Sequence, residues 1–249
     1  MQLALETPTR LLKSIQPLAD FDFILTHLVL KDKAYAKYYS ESTRYKILDN
    51  STNENLQPCS LKDIKKAADI VKPNLVVAPD FLGNSKSTIS ALEESLTVFG
   101  WEKVLPVVQG DCEFGVLKCL KAIIDRGLNS VAVPYDICCR RTDSLETMAS
   151  MRLQIVNSII RKVPIGFHIH LLGLTTLEEL GNHNTGWVKS LDTGSPIMHG
   201  LYGLQFGKDS LMNKAAPTYN RMLGRPTGIK EKSLMLYNIA YLRRVMNGR

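Results

Sequence analysis

Residues 60–80 read SLKDIKKAADIVKPNLVVAPD and contain one complete unit of the pattern that decides the fold. Ser60 followed by Asp63 predicts a helix cap with an acid in the first turn, and residues 60–71 read as a helix. Pro73 then stands where a strand begins, a position that tolerates a missing N–H. Residues 74–78 form a short, nearly continuous apolar run, and Asp80 follows it. Helix, turn, buried strand and terminal acid recur along the chain.

Working outward, further strands are expected at 23–29, 45–48, 104–108, 130–133, 165–171, 187–191 and 200–206. Their nearly unbroken Val, Ile and Leu content suits a parallel sheet covered on both faces. Helices are expected at 32–42, 85–99, 113–126, 144–162, 176–180 and 231–246. Eight strands alternating with helices in 249 residues predict an α/β fold, a (β/α)8 TIM-like barrel. The barrel is expected over residues 1–207, with a basic extension at 208–249. The last helix should pack on the barrel through Leu234, Leu236, Ile239, Leu242 and Val245. No GxGxxG follows the first strand, and NSKS at 84–87 lacks the frame of a phosphate loop and reads as a helix cap.

The formal charge is +7, and it is concentrated at one end. Residues 208–249 contain nine bases (Lys208, Lys214, Arg221, Arg225, Lys230, Lys232, Arg243, Arg244 and Arg249) against Asp209 and Glu231, so residues 1–207 are electrically neutral. Charge confined in this way points to a polyanionic partner. A composition of 45% hydrophobic and 22% charged residues excludes disordered and fibrous classes. No apolar run is long enough for a membrane span, and the N-terminus has no signal-peptide layout. The five cysteines include no CxxC pair, which predicts a reduced, cytoplasmic protein without a zinc ribbon.

The strand ends carry the chemistry. Asp49, Asp80, Gln109, Asp136 and Asp192 each follow or terminate an expected strand, and His168 and His170 lie on another. In a barrel these ends meet at one mouth, where such folds build active sites. Carboxylates crowded there would have their pKa values pushed apart, which suits one nucleophile and one acid/base.

Five blocks then resemble the tRNA-guanine transglycosylase superfamily. ILDNSTNE (47–54) is similar to the family's acid/base segment, Asp-Ser-Gly-Gly/Ser-aromatic-Gln. VAPD (77–80) is similar to its guanine-recognising segment, and VVQG (107–110) to its Val-Gln-Gly. LLGLTTLEEL (171–180) resembles its Leu-Met-Gly-Val-Gly-Thr-Pro-Glu-Asp-Leu, and Leu191-Asp192 falls where the family has its nucleophile. The departures are informative. The CxCxxC zinc site is missing, the base-stacking aromatic becomes Asn53, the stacking Met becomes Leu172, and a Gly-Gly turn becomes Pro134-Tyr135. A short, zinc-free chain most resembles the phage-encoded DNA-guanine transglycosylases.

That resemblance implies replacement of guanine in DNA by a free 7-deazaguanine such as 7-cyano-7-deazaguanine. It implies Asp192 as nucleophile and Asp49 as acid/base. Asp80, Gln109, Gly110, Leu172, Gly173 and Tyr135 would surround the base, with no metal or other cofactor. Arg221, Arg225, Lys230, Lys232, Arg243 and Arg244 would follow the DNA phosphates. If phage-encoded, the protein would act in the host cytoplasm; a homo-oligomer is left open. Three other readings compete. These are a tRNA-directed exchange enzyme, a barrel hydrolase with a metal on His27, His168, His170 and Asp192, and a non-catalytic nucleic-acid-binding subunit.

Overall fold

A computed structural model describes residues 1–140, 142–209 and 227–248. Its strands are β1 (Gln2–Leu5), β2 (Asp22–Leu25), β3 (Lys46–Asp49), β4 (Leu75–Val77), β5 (Val104–Leu105), β6 (Ser130–Pro134), β7 (His168–Leu172) and β8 (Val188–Thr193). The helices up to residue 125 are α1 (Leu12–Ile15), α2 (Thr26–Lys31), α3 (Lys33–Glu41), α4 (Thr52–Asn55), α5 (Leu61–Val71), α6 (Ser85–Phe99) and α7 (Glu113–Asp125). They continue with α8 (Leu145–Ile160), α9 (Leu177–Asn182), α10 (Ser195–Leu201) and a C-terminal helix, Ile229–Met246.

All paired strands are parallel, in two four-stranded sheets ordered β1-β8-β7-β6 and β2-β3-β4-β5. The fold is therefore mixed α/β, with two parallel sheets rather than one continuous eight-stranded ladder. Single parallel bridges, Ala4↔Phe21 and Val107↔Ala132, connect the sheets along both edges.

Strand alternation sorts the side chains. On β7, Ile169 and Leu171 join the core beneath the helices, as Leu48 does on β3. Their neighbours His170, Ile47 and Asp49 project to the opposite face, as a period of two requires. Phe23, Leu25, Ile47, Val77, Leu105 and Ala132, drawn from both sheets, form one cluster with Leu172 packed against it. Outside the sheets, α5 shows how the helices are specified. Ser60 Oγ accepts from Asp63 N at 3.1 Å, and Ile64, Ala67, Ala68 and Val71 form the buried stripe.

Three sequence expectations are corrected. The run 200–206 is not a strand: Pro196 starts α10, the helix continues to Leu201, and Gly203 (φ +76°) turns the chain. The eighth strand is instead β1, whose four residues are too few for a periodic signal. The expected strand at 23–29 stops at Leu25, and α2 takes the remainder.

The C-terminal helix packs through Met235, Asn238, Ile239 and Leu242, with Val245 half-buried against the same core, rather than through Leu234 and Leu236. Asn238 decides that rotation. Its amide donates to the Pro196 and Leu204 carbonyls at 3.3 and 3.0 Å, and its oxygen accepts from Phe206 N at 2.8 Å. Met235 fills the space beside Gly200, where a Cβ would lie 2.5 Å from its Cγ. The extension thus shares the core of the sheets. Among the described residues no helix is long and apolar enough to cross a membrane.

Candidate active site

The C-terminal ends of the strands surround an open cleft. Asp49 comes from β3, Asp80 from the turn after β4, Asp192 from β8, Leu172 from β7, Gly173 from the turn after it, and Tyr135 from just after β6. Six of the eight expected positions therefore line it. Glu6, Asn50, Thr52, Glu54 and Asp136 line it too.

Asp80 is the most firmly held. Its Oδ1 accepts from Asn50 Nδ2 at 2.8 Å and Thr52 Oγ1 at 3.0 Å, and its Oδ2 from Gln109 Nε2 at 2.6 Å. Burial still raises its pKa, against the lowering effect of those three donors. Asn50 is itself fixed, donating to the Ala78 carbonyl at 2.7 Å and accepting from Thr52 N at 2.9 Å. After β3 the chain turns through Ser51 in a left-handed conformation (φ +61°), and Ser51 N donates to Asp49 Oδ2 at 2.7 Å.

Asp49 is pushed well above the usual carboxylate range, first by burial and then by the charges of Glu54 and Asp192. Such a group is protonated more readily in the folded than in the unfolded chain. Stability should therefore be undiminished below the unfolded Asp pKa and should fall as pH rises towards the raised folded value. Asp49→Asn removes that penalty. The variant should melt higher than the wild type at pH 8, with the gap shrinking towards pH 4; a constant gap in a thermal-denaturation series would refute the assignment.

Asp192 Oδ1 accepts from His170 Nε2 at 3.0 Å and from Gly173 N at 3.3 Å. The β7–α9 turn that supplies Gly173 is anchored from below by Arg152 on α8. This arginine donates to the carbonyls of Leu172 (3.2 Å) and Gly173 (2.9 Å) and, through Nε and Nη2, to Glu179 at 2.7 Å each.

Two expected base contacts lie elsewhere. Gln109 is behind Asp80, with its amide NH2 donated to that carboxylate and its oxygen accepting from Gly83 N at 3.2 Å. Gly110 is outside the cleft because α7 needs its missing side chain: a Cβ there would lie 2.4 Å from Val116 N. His27 lies on α2, with Nδ1 2.9 Å from Ser51 Oγ, while His168 and His170 converge on Ser190. Among the described residues no three His, Cys, Asp or Glu side chains are grouped so as to hold a metal ion.

The basic residues divide. Arg221 and Arg225 lie outside the described residues. Lys230 and Lys232 are exposed near the start of the C-terminal helix, next to Thr227, whose hydroxyl accepts from Arg10 Nε at 3.1 Å. Arg243 pairs with Asp20 (Nη2–Oδ1 2.9 Å) ahead of β2, at the opposite end of the sheets from the cleft. Arg244 lies over the Tyr241 ring at 5.3 Å.

Glu6 and Asn50 escaped sequence reading for different reasons. Glu6 follows the unrecognised β1, whereas Asn50 and Thr52 stood inside a quoted motif without a role of their own. The site thus defines a class: a carboxylate-rich cleft at the C-terminal ends of parallel strands. No protein-family model and no curated protein matches the chain.

Proposed function

We propose that this protein exchanges guanine in DNA for a free 7-deazaguanine through a covalent aspartyl-glycosyl intermediate. The observation that carries the reading is the meeting of Asp49, Asp80 and Asp192 in one cleft, from strand ends that are far apart in sequence. The two bridges between the sheets support treating them as the halves of one (β/α)8 barrel. Ser51, at the position of the motif's first glycine, has the left-handed backbone that glycine adopts most easily.

In this scheme the Asp192 carboxylate attacks C1′ as the C1′–N9 bond breaks, forming an ester to the sugar. Asp49, whose pKa is raised by burial and by the charges of Glu54 and Asp192, delivers its proton to the departing guanine. The resulting Asp49 carboxylate takes N9–H from the incoming base, whose nitrogen displaces Asp192 from C1′. Two inversions retain the sugar's configuration. Asp80 receives an N–H of the base. Three of the roughly four acceptor sites on its carboxylate are already taken, so it meets a second base N–H only when Gln109 turns away towards O6. The target nucleotide must leave the stack to reach the cleft.

The decisive experiment gives the protein DNA or, separately, tRNA together with labelled guanine or 7-cyano-7-deazaguanine, and analyses the nucleosides by mass spectrometry. Label in DNA is expected. Label in tRNA alone would move the substrate to RNA, and label in neither would refute base exchange. Lys230 and Lys232 are exposed bases of the C-terminal segment, open to phosphate contact. Their joint replacement by Glu should weaken DNA binding and reduce the slope of log K against log salt by about 2. Arg243→Glu should instead lower thermal stability, because it sets a carboxylate against Asp20.

A further inference from the structure

The inward face of β7 and β8 carries a row of polar residues of which the scheme above uses only Asp192. Alternation places His168 and His170 on one face of β7 and Ser190 and Asp192 on one face of β8. The register sets His170 opposite Ser190 and Leu172 opposite Asp192. The resulting contacts form a single file: His168 Nε2 to Ser190 Oγ at 2.9 Å, Ser190 Oγ to His170 Nδ1 at 2.8 Å, and His170 Nε2 to Asp192 Oδ1 at 3.0 Å.

The chemistry of each group sets the direction of the file. An ionised Asp192 only accepts, so His170 carries its proton on Nε2. A neutral imidazole with Nε2–H has a bare Nδ1, which takes the single hydroxyl proton of Ser190. The Ser190 oxygen then accepts from His168 Nε2–H. His170, Ser190 and Asp192 are buried, at 1%, 2% and 3% exposed. Phe23 stacks on the His170 ring at 5.7 Å and Phe21 meets it edge-on at 6.2 Å, which fixes the ring plane. His168 ends the file in a second cavity at the N-terminal ends of the strands, beside Ser130 and Tyr45.

We infer that His170 is a positioning residue for Asp192, locked as the Nε2–H tautomer by Ser190 and His168 so that it is a permanent neutral donor to the carboxylate. This rests on Asp192 being the nucleophile proposed above. Burial supports it by lowering the pKa of His170 to about 3 and that of His168 to about 4, which keeps both rings neutral in ordinary buffers. A neutral donor orients the carboxylate without the tight ion pair that an imidazolium would form with it.

The test combines 15N NMR of the histidine rings in the full-length protein with steady-state base exchange. In the wild type, His170 should show a protonated Nε2 and a bare, hydrogen-bonded Nδ1. Ser190→Ala should mix the two tautomers of His170. It should also lower kcat, by up to about 10- to 100-fold, because the His170 tautomer without Nε2–H loses its hydrogen bond to the charged Asp192, while KM for the free base stays unchanged. His170→Phe should lose at least as much rate with the fold intact, and His170→Gln, which keeps a donor, should regain part of it. An Nδ1–H tautomer in the wild type, or Ser190→Ala with unaltered tautomer and kcat, would overturn the inference. If the wild type exchanges no base, the proposed function fails, and the NMR result alone decides whether the donor lock exists.

Discussion

Asp192→Asn is expected to slow base exchange by at least about 10⁴-fold and to abolish the covalent protein–DNA adduct. Losses of that order follow the removal of a group on which the covalent step depends. Asparagine is the most informative replacement. It keeps the shape of the side chain and an oxygen able to accept from His170 Nε2 and Gly173 N, which now hold Oδ1 at 3.0 and 3.3 Å. The cleft and its base-binding side should therefore survive, and only the nucleophilic carboxylate is lost. The readout is a denaturing gel of protein mixed with labelled oligonucleotide, alongside the exchange rate. An adduct that persists in Asp192→Asn would move the nucleophile to another carboxylate of the cleft, with Asp49 and Glu6 the first to test.

The second large effect is on stability. Arg152→Met should destabilise the protein by about 3–5 kcal/mol, because it removes one partner of a buried ion pair and leaves the other charged. Arg152 and Glu179 are both shielded from solvent, and the pair is a two-pronged fork with both N···O distances at 2.7 Å. Glu179 also accepts from Thr175 Oγ1 and lies 2.9 Å from His183 Nε2. Burial alone would raise the Glu179 pKa, yet Arg152 and His183 hold it below the usual carboxylate range. A depressed folded pKa stabilises above the unfolded value and is lost as pH falls through the folded one. In a chain of this size each kcal/mol shifts Tm by about 2–4 °C, so Tm should drop by about 6–20 °C at neutral pH. The deficit should shrink in acid, where the wild type loses the pair as well. Arg152→Lys should be nearly as damaging, since an ammonium cannot reproduce the fork. A change of less than about 1 kcal/mol in chemical denaturation would mean that water reaches the pair.

The same arginine links fold to site. Its Nη1 holds the carbonyls of Leu172 and Gly173, and Gly173, in a left-handed conformation (φ +74°) against the Tyr135 ring, sends its N–H to Asp192. Loosening this turn should cost activity in Arg152→Met even below its melting temperature.

Most strands and helices were legible because their signals are local. Ser60 with Asp63, or the continuous apolar run at 130–133, depends on a few neighbours in the chain. The failures were local as well. β1 is too short to show a period, and the apolar run across 23–29 hides a change from strand to helix after Leu25. The candidate site was legible as a set of acids at strand ends. What each acid touches was not. Gln109 looked like a base reader until its amide was found on Asp80, and Arg243 looked like a phosphate contact until it was found on Asp20.

The sequence by itself determined the alternation of helix and parallel strand, the aspartates at the strand ends and the concentration of charge after residue 207. Each is written in adjacent residues or in composition. Only the tertiary structure decided that Asp49 is crowded by Glu54 and Asp192, that His170 meets Asp192 at 3.0 Å, and that Asn238 is buried against the Pro196, Leu204 and Phe206 backbone. Those pairings join residues such as 80 with 109, 170 with 192 and 20 with 243. They depend on sheet register and helix packing, because hydrogen bonds and buried charges act over a few ångströms in space whatever the separation along the chain.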